Sequence, residues 1–328
     1  VTTLVPNALL APFDATPVAY RNRLINGNFD IWQRGTTWTN PTAQHVADRW
    51  RLEQVSSAGT VSQQTFTAGQ TEVPGNPAYF LRLAQTGTGL YRVAQRIEAP
   101  GAFSGQQVTL TFWAKTPSAG ALASVYFSQD AFASGARTDT LIVSSVALTT
   151  SWQKFTYTGT FPSATGKTVN ASTYAGVEFY LPSGTASTVD LAQVQLELGP
   201  APTAFETRPP ALELALAQRY YQQLGGRLST EVAATGWSLS TTSAVFVLPL
   251  KATMRATPTV SMSATTDWLA GSASVSATIA SFTYGYSSPD VVEIDATPTG
   301  TPAWTANASL VLRANSTNNA RIKFDAEI

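Results

Sequence analysis

His45 is the only histidine of the chain, and there is no cysteine. A site built from several imidazoles, a zinc–thiolate centre, a cysteine nucleophile and a disulfide are therefore excluded. A relay through His45 would need an activated hydroxyl, and no G-x-S-x-G elbow accompanies it. Neither a Walker loop nor a G-x-G-x-x-G turn after a strand is present. Asp30, Asp48, Glu178 and Asp190 are the acids of the first half that a glycosidase pair would draw on. Nothing in their spacing selects two of them as acid and base. No catalytic residue is assigned, and the chain reads as non-enzymatic.

Two binding chemistries fit the residues better. Calcium takes about six to eight oxygens from carboxylates, amides and carbonyls. Asn26, Asn28 and Asp30 fall within one turn, and Asp190 opens the last strand of the same domain. If the first and last strands pair, Asn28, Asp30 and Asp190 converge on a Ca2+ ion. Alternatively, the asparagines only shape a turn and Asp190 bonds to backbone. The second chemistry is carbohydrate recognition. In VTLTFWAK (108–115), Val108, Leu110, Phe112 and Ala114 alternate with Thr109, Thr111, Trp113 and Lys115, so each set has its own face. The same alternation places Tyr126, Glu178, Tyr180 and Gln195 opposite the apolar sets of their strands. If these strands are neighbours, Trp113, Tyr126, Glu178, Tyr180 and Gln195 share one outward face. An aromatic ring stacks on the C–H face of a pyranose, while amides and carboxylates bind its hydroxyls. Alternatively, loops, the N-terminal arm or another subunit cover these rings.

The elements that must position these residues are almost all strands. Short alternating runs separated by Gly, Pro, Ser and Thr recur up to Glu197, the pattern of an all-β sandwich or jelly roll. A Pro-rich connector, LGPAPTAFET (198–207), then leads into RPPALELALAQRYYQQLGG (208–226). Prolines open that stretch, glycines close it, and good helix formers lie between, so one connecting α-helix is expected over 208–226. Its two apolar stripes, through Leu212 and Leu216 and through Leu214 and Leu224, suit either burial between two β domains or contact with copies of itself. A second series of short strands fills 227–328, the size of one small β-sandwich. Residues 1–21, with Pro6, Pro12 and Pro17, form an extended arm that docks on a partner or straps its own domain. The expected domains are thus 1–21, 22–207, 208–226 and 227–328.

Charged residues are 12% of the chain, and Lys+Arg and Asp+Glu are 20 each. No basic field gathers nucleic acid, and no polybasic or amphipathic anchor for a membrane is seen. The first residues lack the pattern of a signal peptide. Low total charge protects weakly against association, so a defined homo-oligomer is expected.

INGNFDIWQRGT (25–36) with ADRW (47–50), VQLELGPAPTAFETRP (194–209), ELALAQRYYQ (213–222), MRATPTV (254–260) and FDAEI (324–328) together resemble bacteriophage tail-fibre and receptor-binding proteins, and the spike or fibre proteins of gene transfer agents. The resemblance implies a jelly roll similar to carbohydrate-binding modules, then a helix, then a small β domain. It implies a virion-surface protein that adheres to host cell-surface polysaccharide without catalysis. It also implies attachment to other virion proteins through the arm, and assembly as a trimer or, on a capsid vertex, a pentamer. Calcium often ties the first strand to the last in similar jelly rolls, which adds weight to Asp30 and Asp190. A decoration or adaptor protein without glycan binding, and a capsule depolymerase, are the alternatives.

Overall fold

The computed structural model describes residues 20–98, 100–117, 120–272, 275–300 and 304–328. Of the expected N-terminal arm, all but Tyr20 and Arg21 lies outside them. Among the described residues the chain is all-β with one α-helix.

Two six-stranded antiparallel sheets form the front sandwich. The first has the order Thr37–Thr39, Gly59–Thr65, Tyr79–Gln85, Ser187–Leu198, Gln107–Lys115, Gln153–Thr160. The second has the order Thr138–Val143, Ser124–Asp130, Tyr174–Tyr180, Leu90–Ile97, Trp50–Val55, Gln44–His45. Strand alternation sends Val108, Leu110 and Phe112 from one sheet and Val125, Phe127, Val177 and Phe179 from the other into a shared core. Ring packing fixes the layers: Phe112 meets Phe179 edge-on at 5.1 Å, and Phe127 stacks on Phe161 at 4.6 Å.

The helix covers only Pro210–Gln218. The next residues leave it and form the strand Tyr221–Gly225, paired with Arg321–Asp325, which pairs in turn with Thr259–Met262. The expectation of a helix to 226 is corrected here. Gln and Leu are good helix formers, but such propensity is a weak preference that pairing with a distant strand overrides. Gly225 serves this pairing: a Cβ on it would sit 2.3 Å from the Ala320 carbonyl oxygen. The remaining C-terminal strands close a six-stranded barrel in the order Val232–Ser238, Ala244–Pro249, Val291–Pro298, Ser276–Ser287, Trp268–Gly271, Ser309–Ala314. Trp268, Phe246, Ile294 and Leu312 share one core with Ile322 and Phe324 of the three-stranded sheet.

Buried charge joins the sandwich to the C-terminal sheet. Glu327 lies 3.0 Å from Arg34 and also pairs with Arg49, which is 1% exposed. The Arg34 guanidinium sits 3.6 Å above the Tyr221 ring, and that of Arg49 sits 3.4 Å above Tyr220. Asp48 accepts from the Gln33 backbone at 2.6 Å and from its amide at 2.9 Å, and faces Arg34 at 3.4 Å. Arg255 donates to the carbonyls of Ala326 and Glu327, at 2.9 and 3.1 Å. Most stretches on which the resemblance rests therefore meet in one joint. Non-glycine residues with positive φ gather there too: Asn26 at 57°, Phe29 at 56°, Ala43 at 47° and Arg49 at 69°. Asn26 holds its turn by donating to the carbonyls of Ile31 and Asp48, at 2.8 and 3.0 Å.

Candidate functional site

The expected common face of five residues divides in two. Trp113 and Gln195 belong to the first sheet, Tyr126, Glu178 and Tyr180 to the second. Because Phe112, Phe127 and Phe179 point into the shared core, their outward neighbours lie on opposite sides of the sandwich. Alternation gives a side chain's face, but only the order of strands says which faces coincide.

On the first sheet, Trp113 lies in register with Lys154 on one side and Ala192 on the other. It is half-buried and packs against a satellite cluster of Phe66, Val73, Phe80, Trp152 and Ala192. Phe66, Phe80 and Trp152 pack ring to ring at 4.9–5.2 Å. Such backing makes Trp113 a rigid platform that loses little freedom on binding. Above it opens a cleft of about 330 Å³, lined by Pro74, Thr111, Trp113, Lys154, Gln193 and Thr207, among others. That volume lies in the range of about 300–1,000 Å³ usual for ligand clefts. Gln193 has φ 46° and donates to the Pro74 carbonyl at 2.6 Å, which fixes its amide at the rim.

Gln195 is not a rim residue. It is fully buried beneath the connector, donating to Glu197 at 2.8 Å and to the Ala204 carbonyl at 3.1 Å, and accepting from the Glu206 backbone at 2.7 Å. A register shift between Ala192 and Gln195 changes the alternation there and brings Gln193 to the cleft instead. Lys154 was legible: in QKFTYTGT (153–160), Phe155 and Tyr157 pack on the core, which turns Lys154 to the Trp113 side. A bulge has no comparable signature in the sequence.

On the second sheet, Glu178 is 2% exposed and has no oxygen to spare for a sugar. One oxygen accepts from Ser128 and Arg137, each at 2.8 Å; the other accepts from Arg92 at 2.7 Å and Tyr180 at 2.9 Å. Tyr126 and Tyr180 are half-buried and meet edge-on at 5.2 Å. Burial, then the Glu178 charge, pushes the Tyr180 hydroxyl up to about 12. The pairs extend across the sheet: Arg137 reaches Asp139 at 2.9 Å, while Arg92, Arg51 and Arg96 all pair with Glu53. Burial works against Glu53 ionisation, but these arginines outweigh it and bring its carboxyl down to about 2. This face is a charged ladder in which the tyrosines are secondary.

The three expected calcium ligands are placed differently from one another. Asp190 is fully buried and takes both Nε and Nη2 of Arg82, at 2.7 and 2.8 Å. This corrects the expectation of a free oxygen donor, since a bidentate guanidinium already neutralises the carboxylate. Asn28 donates to Asp30 at 2.9 Å, and Asp30 is exposed, its pKa raised by partial burial. His45 is buried, and burial followed by the charges of Arg34, Arg49, Arg51 and Arg96 keeps it neutral.

No family model matches the sequence, and a search of curated proteins finds no match. Among solved structures, the chain is similar to a family 11 carbohydrate-binding module from Clostridium thermocellum in complex with a mixed-linked tetrasaccharide. The two are 12% identical, with a TM-score of 0.31 over 52% of this chain and 98% of that one. It is also similar to the enzymatically active domain of tailspike protein 4 of bacteriophage CBA120. Here identity is 17% and the TM-score 0.34, over 55% of this chain but 22% of that one. A cyclase from Fischerella sp. TAU gives 12% identity and a TM-score of 0.35, over 56% of this chain and 99% of that one. These neighbours include a binding module and enzymes alike.

Proposed function

We propose that this chain is a non-catalytic adhesion protein of a virion or phage-like particle, which grips host cell-surface polysaccharide through the Trp113 cleft of its front sandwich. The observation that carries this is the half-buried indole, backed by three rings and set in an open cleft lined also by Gln193, Lys154, Thr111 and Thr207. A pyranose laid on the ring meets donors and acceptors at its edge. Absence of catalysis is supported by three of the four candidate acids: Asp48, Glu178 and Asp190 are buried and bound to arginine, which leaves Asp30 exposed and without an acid partner for a glycosidase pair. Assembly from several copies is supported by the helix, which leaves Leu212, Leu214 and Leu216 each partly uncovered; light scattering reads the number. The test of binding is titration of purified capsular and surface polysaccharides onto the full chain. Trp113→Ala is expected to weaken binding by about tenfold or more, the equivalent of one good contact, with an unchanged circular dichroism spectrum. Equal affinity in the variant, or no polysaccharide bound by the folded protein, would sink the proposal.

A further inference from the structure

We infer that the cleft between the sandwich and the C-terminal three-stranded sheet is a second saccharide site, selective for a sugar that bears a carboxylate. It holds about 460 Å³ and shares no lining residue with the Trp113 cleft. It rests on the same premise, that the ligand is a saccharide.

Two orphaned polar atoms line it. Trp38 Nε1 is buried, yet has no hydrogen-bond partner among the described residues. His45 is 7% exposed, and its Nε2 also has none; Glu327 Oε2 lies 3.4 Å away without forming a hydrogen bond. Eleven buried side-chain atoms lack a partner among the described residues, and two of them belong to residues lining this one cleft, which points to a partner for both. Trp38 can only donate. Neutral His45 can accept from a hydroxyl or donate to one, according to its tautomer. Once a side-chain rotation turns these nitrogens to the cleft, adjacent hydroxyls of a pyranose supply both needs, and the Trp38 ring supplies apolar surface for its carbons.

Charge sets the selectivity. The lining carries Arg34, Arg51, Arg96 and Lys323 against Asp325 and Glu327. Arg34 is spent on Asp48 and Glu327. Arg51 and Arg96 share one carboxylate, Glu53, with Arg92. Lys323 is exposed and has no ion-pair partner among the described residues. A carboxylate entering the cleft therefore meets an unmatched ammonium beside two guanidinium groups that divide a single counter-charge.

The experiment is isothermal titration calorimetry on the full chain near pH 7, with tetragalacturonate as the acidic probe and cellotetraose as the neutral one. Tetragalacturonate is expected to bind about tenfold tighter than cellotetraose. Trp38→Phe, which keeps an aromatic ring and deletes the N–H, and Lys323→Gln, a change at an exposed position, are each expected to weaken it by about fivefold or more. The inference is overturned if tetragalacturonate gives no heat, if both probes bind equally, or if neither variant changes the affinity. A loss confined to Trp113→Ala also overturns it, and leaves the first cleft standing.

Discussion

Truncation of Glu327 to alanine tests how the sandwich and the C-terminal sheet are held together. The Glu327 side chain is 6% exposed and serves Arg34 and Arg49 at once. Without it, Arg34 keeps Asp48 at 3.4 Å and Asp325 at 3.6 Å. Among the described residues Arg49 keeps no carboxylate. It retains only the Arg96 carbonyl and the face of Tyr220. Removing one partner of a buried pair costs about 3–5 kcal/mol, because the other charge is left buried and alone. The ring face compensates in part, by up to about 2 kcal/mol for a desolvated cation. Deletion also relieves the repulsion that Glu327 exerts on Asp48. The expected net loss is therefore about 2–3 kcal/mol, at or below the low end of the range for buried pairs. Urea titration near pH 7, followed by tryptophan fluorescence, reads it as a lower midpoint at unchanged slope. A loss below about 0.5 kcal/mol, the level of an ordinary surface substitution, would refute the reasoning and mean that the joint is held by packing alone.

Three further outcomes follow from the same contacts. Burial, with a smaller push from Glu327, raises Asp48 to about 6 in spite of Arg34 and Gln33. Its ionisation therefore opposes folding: the stability tied to its protonated form is full below its ordinary value of 3.8 and is lost as pH rises through about 6. Asp48→Asn is expected to flatten that fall, on the order of 3 kcal/mol, in urea midpoints taken from about pH 4 to 7.5. The contribution of His45 has the opposite sign and is common to both proteins, so the difference isolates Asp48. Arg82→Ala strands the buried Asp190 carboxylate and is expected to cost about 3–5 kcal/mol, whereas a chelator added to the parent protein leaves its melting temperature unmoved; a chelator-induced drop would restore Asp190 to a metal site. Gly27→Ala would place a Cβ 2.1 Å from the Val194 carbonyl oxygen. Since Val194 N–H also donates to Gly27 at 2.8 Å, the strand cannot retreat without breaking that bond, and the thermal midpoint is expected to fall by an overpacking cost of about 1–3 kcal/mol.

Local rules found the strands, since burial in the sheet imposes a period of two on VTLTFWAK (108–115) and its neighbours. They also placed Trp113 on an outward face. They could not say that Tyr126 and Tyr180 face the other way, because that depends on which strands the chain inserts between them. The helix was found and overextended, because the partner of Tyr221 is Asp325, about a hundred residues on. The joint was invisible for the same reason: Arg49 and Glu327 are separated by 278 positions, and each alone is an ordinary charge. Asp190 looked available because a sequence shows a carboxylate without showing that Arg82 lies opposite it in the neighbouring strand.

The joint also decides how the molecule can be dissected. A fragment stopped at Thr207 would lose Tyr220, Tyr221 and Glu327 together, leaving Arg34 with Asp48 alone and Arg49 with no acid at all. The bared guanidinium groups would form a cationic scar on the cut face of the sandwich. Such a fragment would cling to any polyanion presented to it, and its apparent affinity for an acidic capsule would report the cut rather than a recognition site.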